Sequence, residues 1–190
     1  MGAQLNTLRW LNADVQDEVD PLLSDFAFNI SIAMSSLVTS ADPDFRARQA
    51  RLIENEGQQR DTVRRLGDST ANTVTLIFQA AVAENRQRLA QLQGLTDDAL
   101  VRIAGLRTQL DDKPELTTLR QSVEALVPVA TSETGVFRLR LAWLDAQADM
   151  LASLAALQTD LGNLQLVLSA AGQEQRARIL AQTERSLLLT

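Results

Sequence analysis

Apolar residues recur at helical spacing along nearly the whole chain, and no useful length alternates with the period of two that a strand requires. The longest ladder starts at Val136 and climbs through Leu141, Leu144, Ala148, Leu151, Leu154, Leu157, Leu161, Leu164 and Leu168. From Leu141 on, steps of three and four place these residues on one stripe of a helix of roughly ten turns. Val136 to Ala171 then spans about 54 Å at about 1.5 Å per residue. A helix of that length is expected in a rod more than in a compact domain of this size. Thr131-Ser132-Glu133 is read as its start, and Gly172 as a point of weakness before a tail over 173–190.

The same reading divides the remainder. A first helix over Ala3 to Thr39 carries Leu8, Leu11, Val15, Val19, Leu22, Phe26, Ile30, Ala33 and Leu37. Pro21 lies inside it and removes one backbone hydrogen bond. The stripe keeps phase across Pro21, so a kinked but continuous helix is expected, with a break and restart at Pro21 as the alternative. Ser40-Ala41-Asp42-Pro43 is a stop and restart, with Asp42 as N-cap and Pro43 as the first helical residue. The second helix is expected to run to about Gln93 and stop at Gly94, with a stripe of Phe45, Leu52, Val63, Leu66, Thr70, Val74, Ile77, Ala81, Leu89 and Leu92. Two short helices follow, one from Thr96 to about Leu110 and one from Pro114 to Val127, joined by a turn at Asp111-Asp112-Lys113. Pro128 is expected to distort the end of the second. The pattern is long, long, short, short, long. With the short helices counted as a broken pair, the fold class is all-α, a partly elongated antiparallel four-helix bundle forming a single domain over 1–190.

One stretch disturbs the pattern. By phase, Glu56 and Gln59 face inward, next to Gly57 and Arg60. Buried polar groups cost stability unless they are partnered. Three readings are open: a wet bundle, a helix interrupted near Gly57, or a functional polar layer that would line a pocket with Arg60.

Composition removes chemistry. The chain of 190 residues has no His, Cys or Tyr, which nearly closes off zinc sites and nucleophiles that depend on Cys or His and leaves carboxylate-only Mg²⁺ or Ca²⁺ binding open. No EF-hand loop, glycine-rich phosphate loop or GxSxG is present. Asp97/Asp98 could serve acid–base work, but Thr96-Asp97-Asp98 reads better as a helix cap, so no enzyme and no cofactor are expected. The net charge of −6 argues against nucleic acid. The basic residues are arginines apart from Lys113, clustered at Arg46, Arg48, Arg51 and at Arg60, Arg64, Arg65 beside Glu54, Glu56 and Asp61, as on a solvated face. The absence of cysteine sets no compartment. No uninterrupted run of about 18 apolar residues is present, so no complete membrane span is expected. The closing Arg185-Ser186-Leu187-Leu188-Leu189-Thr190 looks like the beginning of one.

Four stretches together resemble the extracytoplasmic sensor region of the trimethylamine-N-oxide-responsive (TorS-like) hybrid histidine kinases, and more loosely the helical bimodular sensors of chemoreceptors. They are Trp10-Leu11-Asn12-Ala13-Asp14-Val15 through Asp20-Pro21-Leu22-Leu23-Ser24-Asp25-Phe26, Val63-Arg64-Arg65-Leu66 through Ile77-Phe78, Gly135-Val136-Phe137-Arg138-Leu139-Arg140, and Ala181-Gln182-Thr183-Glu184-Arg185-Ser186-Leu187-Leu188-Leu189. The resemblance implies a periplasmic sensing domain of an inner-membrane kinase, working as a homodimer. Its partner would be a small-molecule ligand or a periplasmic binding protein, and its last helix would carry the signal across the membrane. Such sensors begin with a membrane span and an outgoing helix, whereas this chain opens directly at Leu5, so the resemblance implies a missing N-terminal part. With no His, the phosphoacceptor is not in this chain. In this reading Arg138 and Arg140 meet an anionic ligand or an acidic partner surface, and Pro21 and Gly172 are bend points. Ordinary surface arginines are the competing reading. Trp10 and Trp143 are either interface anchors or covers for the edge of the core. The alternative function is a soluble helical-bundle or coiled-coil interaction module.

Overall fold

The computed structural model describes residues 2–110 and 114–187, with side chains to 180. The expected turn at Asp111-Asp112-Lys113 and the apolar end at Leu188-Leu189-Thr190 lie outside the described residues. The chain is all-α, with no strand among the described residues: α1 (Gly2–Thr39), α2 (Pro43–Ala81), α3 (Arg86–Arg107), α4 (Thr117–Thr131, entered through a 3-10 turn at Pro114–Leu116) and α5 (Val136–Leu187).

Local chemistry sets these boundaries. Asp42 caps α2, its Oδ1 accepting from the Asp44 N–H at 2.9 Å with Pro43 at the first helical position. α1 runs unbroken through Pro21, which is exposed. Its partners in phase, Val19, Leu22 and Phe26, are buried. α2 continues through Gly57 without interruption. It ends at Ala81, well before the expected stop at Gly94, because Asn85 in an extended conformation caps a new helix and its Oδ1 accepts from the Arg88 N–H at 2.8 Å. Gly94 and Thr96-Asp97-Asp98 therefore lie inside α3, and the expected cap there is corrected. Thr96 is buried and donates its hydroxyl to the Leu92 carbonyl at 2.8 Å. α4 passes through Pro128 to Thr131. α5 begins at Val136, later than Thr131, and passes through Gly172 without a break.

The chain divides into two compact units, Met1–Leu144 and Asp145–Thr190. In the first, α1 and α2 are joined only by residues 40–42 and pack along each other, which makes them antiparallel. α3 packs on α2, and α4 closes the ring against α1 and α3. The bundle thus consists of α1 to α4, with only the first turns of α5 joining its core through Val136, Phe137 and Leu144. This corrects the expectation that α3 and α4 form one broken arm and the last helix the fourth. The closed core includes Leu8, Val15, Leu66, Ile77, Leu92, Leu119, Val123 and Leu126, all at most 1% exposed. Each such side chain contributes about 1.5–3 kcal/mol of transfer free energy. At Gly67 α1 and α2 approach closely, since a Cβ there would lie 3.2 Å from Val19 Cγ2.

Two expectations about apolar surface change. Leu52, expected in the α2 stripe, is exposed. α1 is long and apolar enough to cross a membrane by length and composition alone, with a window of 18 residues at mean hydropathy 1.4. An unbroken apolar run misses this, because Asp25 and Asn29 interrupt the run without lowering the average far. The second unit is a single helical stretch of α5 in which every residue from 146 to 180 is exposed, including the leucine ladder.

Candidate functional site

A cleft of about 480 Å³ lies between α3, the end of α4 and the start of α5 in the first unit. On α3 the spacing of Arg86, Leu89, Ala90, Gln93 and Asp97 is that of one helical face. The Asn85 cap starts this face, because it places Arg86 at the first position of the helix. α5 contributes Phe137, Arg138 and Leu141, and α4 contributes Ala130 and Thr131. The floor is apolar and the rim carries two guanidiniums against one carboxylate. The Arg138 guanidinium lies 3.4 Å from Glu133, and both side chains are largely exposed. Such a pair is weak and exchangeable.

The corner that sets this wall is tightly built. Gly135 is buried, its N–H bonding the Ser132 carbonyl at 2.8 Å. A Cβ at this position would sit 2.8 Å from the carbonyl oxygens of both Ala130 and Ser132. Two residues beyond Arg138, Arg140 faces a different task. Its Nε donates to the Ala83 carbonyl in the α2–α3 link at 2.9 Å, and its guanidinium lies 4.1 Å from the Trp143 ring centroid. Arg140 is thus a clamp between α5 and the link, outside the residues lining the cleft.

The polar layer of α2 is elsewhere in the bundle. Glu56 and Gln59 are both buried at 5% exposure, as their phase required, and the helix is continuous around them. Asn29 of α1 donates to Glu56 Oε2 at 3.2 Å, and Gln59 donates to the Gln109 carbonyl at 3.2 Å. Both groups therefore have partners, and the layer is a cross-tie between α1, α2 and the end of α3. A small recess of about 270 Å³ opens beside Glu56, with Asp25 and Glu115 on its wall. Arg60 is exposed and lines neither recess.

The five residues expected to bind a ligand are therefore distributed: Arg138 on the cleft, Arg140 on the clamp, Glu56 and Gln59 in the cross-tie, Arg60 on the surface. Pro21 and Gly172 both lie inside unbroken helices. Trp10 is 72% exposed and Trp143 49% exposed, so neither is covered by the core. From sequence, Arg86 and Gln93 carry no expected binding role, and Asp97 is expected in a helix cap or an acid–base pair. Their common face was readable from spacing, but extending the second helix to Gln93 hid it. No group of three or more acidic side chains among the described residues is arranged to hold a metal ion. No protein family, no curated protein and no solved structure matches the chain.

Proposed function

We propose that this chain is the extracytoplasmic ligand- or partner-sensing domain of a bacterial two-component sensor histidine kinase. In this reading it is non-catalytic and passes a conformational signal out through α5. The observation that carries the proposal is one helix with two roles. α5 supplies Phe137 and Leu141 to the cleft wall and Val136 and Leu144 to the core, then runs unbroken to Leu187. A small organic anion entering between Arg86 and Arg138 would displace the weak Glu133 contact and change how the first turns of α5 pack on α3. A ligand biases an equilibrium only by its differential affinity for two states, and the junction at Gly135 is where two packings of α5 would differ. A periplasmic binding protein carrying its ligand could act on the same wall.

The test is thermal unfolding of the chain against a panel of small carboxylates and amino acids, repeated with Arg138→Ala, then amide exchange along α5 with any compound that binds. The expected result is stabilisation that depends on Arg138 and altered exchange beyond Leu144. Binding with unchanged exchange in α5 would sink the signalling role. A second reading, a soluble interaction module, is favoured by the exposed leucines of α5 and predicts no response to the panel.

A further inference from the structure

From Met150 the exposed ladder of α5 follows a strict alternation of four and three: Met150, Leu154, Leu157, Leu161, Leu164 and Leu168, with Ala171 next in register. This is the a/d seam of a heptad repeat. All six large side chains are at least 50% exposed, although α5 is helical throughout this stretch. We propose that this seam pairs with the same seam of a second copy of the chain, as a parallel, in-register coiled coil over Met150–Ala171. This inference rests on the ladder alone and holds whether or not the chain senses a ligand.

Three observations choose the occupant. The first is charge. Asp160 is the only charged residue between Met150 and Gln173. It falls at a g position, so in a parallel pair it faces the e position of the second copy, which is Gln165. An antiparallel pair with the ladders fully overlapped would bring the two Asp160 carboxylates together, which is unfavourable. The second is area. Transfer of a leucine-sized side chain corresponds to roughly 60–120 Å² of apolar surface. Twelve such side chains in a pair remove up to roughly 700–1,400 Å², a range that includes the ~1,000 Å² that a stable interface requires. The third excludes lipid. No Lys or Arg occurs from Leu141 to Gln175, whereas a helix lying on a membrane surface carries basic residues on its polar face. Nor is α5 among the helices apolar enough to span; only α1 is, among the described residues.

The test uses the whole chain. Sedimentation velocity should give a dimer, and the double variant Leu161→Asp/Leu164→Asp should give a monomer with the same bundle melting transition. Because the chain has no cysteine, single substitutions report direction. Leu154→Cys should form a disulfide with itself under mild oxidation. Mixed Leu154→Cys and Leu164→Cys chains should not cross-link to each other beyond random levels. A monomer at every concentration tested overturns the proposal, as does preferential 154–164 cross-linking, which means an antiparallel pair. Flotation of a monomeric chain with anionic vesicles also overturns it and identifies lipid as the cover.

Discussion

Arg140 offers the sharpest test of whether the arginines at the start of α5 serve the fold or a ligand. In Arg140→Ala the Ala83 carbonyl loses the Nε donor that reaches it at 2.9 Å. Ala83 is 4% exposed, so water does not readily replace that donor. A hydrogen bond from a charged group contributes about 1.5–3 kcal/mol. The guanidinium over Trp143 adds about 0.5–1 kcal/mol for a partly exposed pair. Arg140 is itself half-buried, which places the total near the lower end, about 2–3 kcal/mol. At about 2–4 °C per kcal/mol for a chain of this size, Tm should fall by about 4–12 °C. Urea unfolding followed by far-UV circular dichroism should show the midpoint moving with m unchanged. Arg140→Lys should recover little, because an ammonium lacks the planar fork that bonds a carbonyl and stacks on a ring at once. A double-mutant cycle with Trp143→Leu should return a coupling of about 0.5–1 kcal/mol. If Arg140→Ala unfolds within about 0.5 kcal/mol of the parent chain, as an ordinary surface substitution would, the clamp is wrong and Arg140 is available to a partner.

Gly135→Ala should destabilise the first unit by about 1–3 kcal/mol, as overpacking does, because its Cβ meets backbone oxygens that cannot rotate away; chemical denaturation measures it, and an unchanged midpoint would mean the corner is loose. Asn29→Asp replaces the donor to Glu56 with a second carboxylate; it should lower Tm at neutral pH, because the hydrogen bond is lost and two like charges are left side by side. A Tm equal to that of the parent chain would refute the cross-tie. Pro21→Ala restores a helical N–H at an exposed position inside α1; it should raise stability by up to about 3 kcal/mol, and a loss of thermal stability would show that α1 needs its proline.

The fold class and the inward phase of Glu56 and Gln59 were legible because a stripe repeating every three or four residues fixes which side of a helix is buried. The Asp42-Pro43 start was equally legible, since a capping side chain and a residue lacking an N–H act locally. The end of α2 was not. Gly94 is the conventional stop, but glycine inside a helix costs only about 1 kcal/mol, which the burial of Leu89, Leu92 and Thr96 on either side offsets. The signal that mattered was Asn85, whose capping role depends on an extended backbone that its neighbours do not announce. The cleft residues Arg86 and Gln93 were lost with that boundary, and Asp97 with the cap expected at Thr96-Asp97-Asp98, which lies inside α3. Arg140 shows a different limit: spacing along α5 places it near Trp143, but nothing in the sequence says that Ala83 will be brought to it.

The leucines of α5 make sense only if they answer to something other than the bundle. The first unit closes its core with α1 to α4 and the opening turns of α5, and none of Leu154, Leu157, Leu161, Leu164 or Leu168 is buried in it. Helices in proteins gain most of their stability from packing one apolar face, and a helix carrying one charge between Met150 and Gln173 has little else to keep it soluble. Were those positions free of constraint, lysine and glutamate would serve the helix equally well, since their helix propensities match that of leucine to within a few tenths of a kcal/mol. The even four-three spacing over three heptads is therefore a record of a binding surface. The helix that carries it, α5, also supplies Phe137, Arg138 and Leu141 to the cleft wall.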